Sequence, residues 1–189
     1  MQRADEESGL RQRLDEISSA SSQAIEEVRQ ITHGLRPYQL DRLGLAQAIR
    51  AAVSLAAESG SILFASRVED VDGVFDKDSE IHVYRIVQEA VNNVVKHSAA
   101  TEATVVVKRR PGVVSLSIRD NGRGFAPDAL GSANPSGAGS GLSGIAERVR
   151  ILNGKLAVDS RPGAGTNLTV EVPLPVGTHE TGSNSIRRG

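Results

Sequence analysis

The chain has 189 residues with 22 basic and 23 acidic side chains, a formal charge of −1, so no global positive field exists to hold a nucleic-acid backbone. Aromatic residues are only 3% with no tryptophan, which argues against base-stacking platforms and leaves Val, Ile, Leu and Ala to build the core. Cysteine is absent, which removes disulfides, thiolate metal sites and thiol nucleophiles, and no apolar run approaches the ~18–20 residues of a membrane span or resembles a signal peptide. The segment is therefore expected to be soluble and cytoplasmic, without membrane or nucleic-acid contact.

In chain order, Leu10, Leu14, Ile17, Ser21, Ala24, Val28, Ile31 and Leu35 alternate spacings of four and three, a heptad seam flanked by charged residues. A helix with one narrow apolar stripe needs a partner helix, so residues 1–37 read as part of a dimerisation element that ends at Gly34 and Pro37. A second helix is expected from Gly44 to Glu58, with Leu45, Ile49, Ala52, Val53 and Ala56 on one side. Ile62–Val68 reads as a strand and Glu69–Asp78 as a loop. A third helix runs from Ser79 to His97, capped by Asp78 or Ser79. Thr104–Lys108 and Val113–Asp120 read as strands joined at Arg109–Gly112, the second with Val114, Leu116 and Ile118 on its buried face. Ala126–Ala138 reads as a mobile loop and Leu142–Leu152 as a fourth helix. Lys155–Ser160 and Asn167–Val172 read as two more strands, and 175–189 as a disordered tail. Helices interleaved with four or five strands predict an α/β two-layer sandwich, a mixed sheet with helices on one face, spanning 38–174 behind a long N-terminal helix.

Four stretches carry candidate chemistry. On the third helix Glu89, Asn93 and Lys96 fall within an arc of ~60°, opposite Val83, Tyr84, Val87, Val91 and Val94. A solvated polar face is the plainer reading of that helix alone, yet Asn92 and Asn93 cost helix propensity and need either exposure or a task. Asp120-Asn121-Gly122-Arg123-Gly124-Phe125 closes an alternating strand. An ordinary turn would account for it, but two glycines beside a fixed carboxylate also let a ligand approach closely enough to donate an amine hydrogen bond. Gly139-Ser140-Gly141-Leu142-Ser143-Gly144 opens a helix, where free N–H groups and the dipole favour phosphate. With Asp159 about 20 positions on, it also matches a dinucleotide fingerprint, but Gly131–Ala138 is loop-like rather than a buried strand, and that context rejects the match. Gly163-Ala164-Gly165-Thr166, taken alone, is a hairpin turn.

The order of the four stretches resembles the N, G1 and G2 boxes and closing Gly-Thr of the ATPase domain shared by sensor histidine kinases, DNA gyrase, the heat-shock chaperone and mismatch-repair ATPases, a Bergerat-type fold. Gly34-Leu35-Arg36-Pro37-Tyr38-Gln39-Leu40-Asp41-Arg42-Leu43-Gly44-Leu45 is similar to the junction in two-component kinases of the nitrate-sensor and desaturase-sensor type. The resemblance implies ATP and Mg²⁺ as ligands. Asn93 would hold the metal, Glu89 would activate or orient a nucleophile, Lys96 would reach phosphate, and His97 would lie beside the nucleotide. It further implies that Asp120 accepts the adenine amine, with Gly122, Gly124 and Thr166 in support. Gly139, Gly141, Leu142 and Gly144 would form the phosphate cradle, and Ala126–Ala138 the lid.

The implied activity is transfer of the ATP γ-phosphoryl group to a histidine on a helix absent from this chain, which is therefore expected not to phosphorylate itself. His33 sits at the fraying helix end where the family places no acceptor, and His82 and His179 have no supporting context. Expected partners are that acceptor helix, a response regulator and a second copy paired through the N-terminal helix. The competing readings are an anti-sigma-type Ser/Thr kinase on the same fold, which the heptad helix and Leu35-Arg36-Pro37 argue against, and a non-enzymatic dimerisation module.

Overall fold

A computed structural model of the chain describes residues 38–58, 62–126 and 140–174. The expected N-terminal heptad helix with His33, almost all of the expected lid, Gly139 and the tail lie outside the described residues.

The first element, α1 (Tyr38–Glu58), starts one residue after Pro37 and six before the expected start at Gly44. Gly44 breaks it with φ 76°, ψ 170°, a conformation glycine adopts freely, so the sequence signal marks a kink and not a beginning. The N–H freed at the kink is recaptured from outside the helix: Ala46 N donates to Asp72 Oδ1 at 2.9 Å. Leu45, Ile49 and Val53 are buried as expected, with Ala52 and Ala56 packed at the margin.

Strand β1 (Leu63–Val68) leads through a loop into α2 (Lys77–Asn93), whose N-cap is Asp76 and not Asp78 or Ser79. The Asp76 carboxylate accepts from the backbone N–H groups of Asp78 and Ser79 and from the Ser79 hydroxyl. The Ser79 bonds, backbone first, hold its pKa below the ordinary 3.8. The polar loop before it is not wholly solvent-facing, because Val71 and Phe75 are buried in the core. The last turn of α2, Val94–Ser98, is a π-helix that ends at Ala99 with φ 53°.

Strand β2 (Glu102–Arg110) runs further than expected while β3 (Val113–Asp120) has the expected bounds, leaving Pro111 and Gly112 as the turn. Gly112 has φ 75°, and proline followed by a positive-φ glycine is the type II arrangement. Helix α3 (Ser140–Ile151) and strands β4 (Lys155–Ser160) and β5 (Thr166–Pro173) complete the chain.

The five strands form one sheet in the order β1-β2-β3-β5-β4. β1 pairs with β2 in parallel through the α2 crossover, and every other pair is antiparallel. In the central strands only one face is buried, by Ala103, Val105 and Val107, by Val114, Leu116 and Ile118, and by Leu168, Val170 and Val172. The helices pack on that face and Val83, Tyr84, Val87, Val91 and Val94 of α2 meet it, giving the expected two-layer sandwich with its mixed sheet. Antiparallel pairing through β3, β5 and β4 also excludes the doubly wound dinucleotide fold that Gly139–Gly144 superficially invites.

Candidate nucleotide site

The site grows from the C-terminal end of α2. Glu89 and Asn93 are one turn apart on its half-buried face, and the start of α3 lies directly against them. A Cβ on Gly141 would stand 2.5 Å from Glu89 Oε1, 3.0 Å from Asn93 Oδ1 and 3.2 Å from Asn93 Nδ2. No side chain fits there without moving a carboxylate or an amide. The first and third motifs, some fifty residues apart in sequence, therefore touch.

The second motif joins just beyond, at the π-turn that follows Asn93. Ser98 is buried, its hydroxyl donates to the Val94 carbonyl at 2.6 Å, and Ala100 N donates back to it at 2.9 Å. This local bonding closes the π-turn and presents the Ser98 carbonyl to the loop after β3, where Arg123 N donates to it at 2.8 Å. Gly122 is wedged between that carbonyl and Asp120, since a Cβ would run into Ser98 O and stand 2.8 Å from Asp120 Oδ1. Asp120 is only 6% exposed and accepts from Gly122 N at 2.8 Å. Asn121 pins the outer side of the loop, its Oδ1 accepting from Thr101 N and Glu102 N at 3.0 Å each.

The fourth motif closes the sheet end. Thr166 pairs with Asp120 across the β3–β5 ladder and with Ser160 across β4–β5, so the three side chains form one row on the helix-facing side of the sheet. Ser160 Oγ donates to the Gly165 carbonyl at 3.0 Å and accepts from Phe125 N at 3.0 Å. Its single hydrogen is thus committed, which makes Thr166 Oγ1, 3.1 Å away, the donor between the two hydroxyls and leaves the Thr166 lone pairs available. Gly165 has φ 73° and lies against the Asp120 carbonyl, while a Cβ on Gly124 would strike the carbonyls of Arg161 and Gly165. The Gly163–Thr166 stretch is therefore both a hairpin turn and a wall of the Asp120 end. A cavity of about 400 Å³ at this end of the sheet is lined by Asp120, Ser160, Gly165 and Thr166 together with Arg119, Asp159 and Asn167. Glu89 and Asn93 are outside that lining.

Lys96 and His97 stand apart from this packing. Both are exposed on the π-turn, where about 80° per residue replaces 100°, so Lys96 is rotated by roughly 50° from the arc drawn for an ideal α-helix. Leu142 is packed against the core cluster, and the Gly144 carbonyl accepts from Arg148 at 2.8 Å. The sequence reading passed over Ser98, Ser160 and Asn121. Each is a small polar residue whose task is to bond backbone brought in from elsewhere, and spacing carries no signal of that.

As for cation chemistry, no group of three or more His, Asp or Glu side chains that could hold a metal occurs among the described residues. The donor set of one amide and one carboxylate, Asn93 and Glu89, fits a hard oxygen-seeking cation such as Mg²⁺ that takes its remaining ligands from phosphate and water. No helix among the described residues is long and apolar enough to cross a membrane.

These contacts define an ATPase of the Bergerat type, and residues 78–176, more than half of the chain, match the family model for histidine kinase-, DNA gyrase B- and HSP90-like ATPases; the chain belongs to that family, whose ligand is ATP. Within it, the chain is 32% identical over 165 residues to the sensor histidine kinase ComP of Bacillus subtilis, covering 87% of this chain and 21% of ComP. It is 37% identical over 142 residues to the signal transduction histidine-protein kinase/phosphatase DegS of the same organism, covering 74% of this chain and 36% of DegS. The chain thus spans about a fifth and about a third of the length of these two relatives. Among solved structures, the blue-light activated histidine kinase of Erythrobacter litoralis EL346 aligns with a TM-score of 0.58 at 20% identity, over 69% of this chain and 42% of that one. The ATP binding domain of PrrB from Mycobacterium tuberculosis aligns with a TM-score of 0.54 at 20% identity, over 69% and 94%. At that identity the likeness is one of fold.

Proposed function

We propose that this domain binds Mg-ATP between α2, α3 and the Asp120 end of the sheet and transfers the γ-phosphoryl group to a histidine on a separate helix, as the catalytic part of a two-component sensor kinase. The observation that carries the reading is the contact chain just described: Gly141 on Glu89 and Asn93, Ser98 on Gly122 and Asp120, Gly165 on the Asp120 carbonyl. Four remote stretches meeting through glycines, with a carboxylate at one end and an amide–carboxylate pair at the other, suit a purine with a triphosphate tail.

In this reading Asp120 accepts the adenine amine, and Thr166, donating to Ser160, keeps its lone pairs for a water at the base. Gly122 and Gly124 allow the base to approach the backbone. Asn93 supplies its amide oxygen to Mg²⁺, and Glu89 orients the incoming imidazole. The backbone of Gly139, Gly141, Leu142 and Gly144 cradles the phosphates, while Lys96 and His97 reach in from the exposed π-turn. Magnesium supplies neutralisation of the charge that develops on the transferring phosphoryl group. The same reading assigns the whole protein a response regulator as the next phosphoryl acceptor and a second copy as its pairing partner through residues 1–37.

The test is transfer of radiolabel from γ-labelled ATP to a separately produced histidine-bearing helical domain of the sensor-kinase family. Acid-labile label on the acceptor is expected with the wild type and Mg²⁺, with at least a tenfold loss for Asn93→Asp. An acceptor left unlabelled, although the chain binds ATP, would sink the kinase assignment.

A further inference from the structure

The face of the sheet turned away from the helices carries none of the side chains assigned to the nucleotide, and the strand register lays it out in rows. Its middle row runs Arg67, Val106, Ser117, Thr169, Ala157, one residue from each strand. On β2, Glu102 and Arg110 stand four positions to either side of Val106, and on β4, Asp159 and Lys155 stand two positions to either side of Ala157. All four charged residues are exposed, and none makes an ion pair within the chain among the described residues. An acid and a base thus lie at equal distances on opposite sides of one line, on two separate strands.

That pattern is complementary to itself. A two-fold axis along the middle row sets each strand against its own copy running the other way. Arg110 then faces the partner's Glu102, and Lys155 the partner's Asp159, each contact occurring twice. The other charges meet polar groups: Lys108 comes opposite Thr104, Arg119 opposite Ser115, and Glu171 opposite Asn167. Arg67 alone meets its like, on the exposed edge strand β1, where its head can turn to water. Val106, Ser115, Ser117, Thr169 and Ala157 are short, so the centre is flat enough for two sheets to pack at about 10 Å. A uniformly acidic or basic partner would satisfy only one side of the row, whereas a second copy satisfies both.

We infer that this outer face is an interface between two copies of the chain, packed sheet on sheet about that two-fold axis. A footprint of roughly 20 by 25 Å buries about 1,000 Å² in all, the low end for specific interfaces, so the association is weak and sensitive to salt. The inference is independent of the kinase reading and of pairing through residues 1–37.

The experiment uses the full chain, which has no cysteine, so that a single introduced one reports its own neighbour. Ala157→Cys, on the middle row, is expected under mild oxidation to cross-link to its own copy about tenfold faster than Gln47→Cys, which is exposed on α1 in the helical layer. Pairing through residues 1–37 gives no reason for that preference. Adding Arg110→Glu to Ala157→Cys should slow the cross-link about tenfold, and adding Glu102→Arg as well should restore it, because the axis exchanges the two partners. Salt at about 0.5 M slows Ala157→Cys and leaves Gln47→Cys unchanged. Should Arg110→Glu melt below the wild type, Lys155→Glu on β4 replaces it with the same expected loss. Equal rates for the two cysteines overturn the inference, as do a rate indifferent to both charge reversals and a doubly exchanged variant as slow as Arg110→Glu alone.

Discussion

Asp120 shows how much one residue of this site depends on backbone. Its carboxylate is almost fully buried, one oxygen accepts from Gly122 N, and the strand carbonyl behind it is pressed by Gly165. Asp120→Asn keeps an oxygen for Gly122 but can turn a donor toward the adenine amine, opposing two N–H groups. ATP affinity should fall by ten- to a hundredfold, the scale of ~1–3 kcal/mol for a buried polar group left without its partner, while the melting temperature changes little. Nucleotide titration checks this, and unaltered affinity would remove Asp120 from the base-binding role. The meeting of Asp120, Glu89, Asn93 and Gly141 at one end of the domain was legible because the order of their motifs resembles a known ATPase domain. Ser98 and Ser160 were not, because a serine that bonds a distant carbonyl looks like any other serine until the chain has folded. Lys96 is rotated off the arc of an ideal α-helix because the π-turn that carries it advances by about 80° per residue, which spacing alone does not reveal.

At the scale of elements, the kink in α1 is held from a distance. Asp72 caps the segment that restarts after Gly44 by accepting from Ala46 N, and its carboxylate fills the space where a Gly44 side chain would stand. Asp72→Ala should cost about 1 kcal/mol, as loss of an N-cap usually does, and lower the melting temperature by about 2–4 °C. ATP affinity should stay unchanged, because the cap lies at the opposite end of the domain's helical layer from the Asp120 loop. Calorimetric scanning with parallel nucleotide titration tests both halves. The sequence places a helix start at Gly44 because glycine punctuates, and the loop it reads at Glu69–Asp78 is found as far as Asp76, without any sign of which of its residues are buried. Both readings treat a residue by its local company. Val71, Asp72 and Phe75 answer instead to α1 and the core, which only tertiary packing brings near.

For the molecule as a whole, the core and the pocket share one sheet, so ligand and stability are linked. Mg-ATP at a hundred times its Kd should add about 2.7 kcal/mol and raise the melting temperature by about 5–10 °C. Asn93→Asp should abolish the magnesium-dependent part of the rise, and absence of any shift with the wild type would contradict nucleotide binding at this site. The alternation in β3 and the apolar stripe on α2 made the two-layer sandwich readable. The strand order was not, because the parallel β1–β2 pair and the insertion of β5 between β3 and β4 depend on which edges meet, and a hydrophobic pattern reports faces only.

Around Asp120 the polypeptide meets itself main chain to main chain, at Gly122 on Ser98, Gly124 on Arg161 and Gly165 on the strand end. Side chains can absorb substitution by changing rotamer, whereas abutting peptide planes have no such slack. The Asp120 end of the sheet is thus a mould that tolerates little drift at these three glycines.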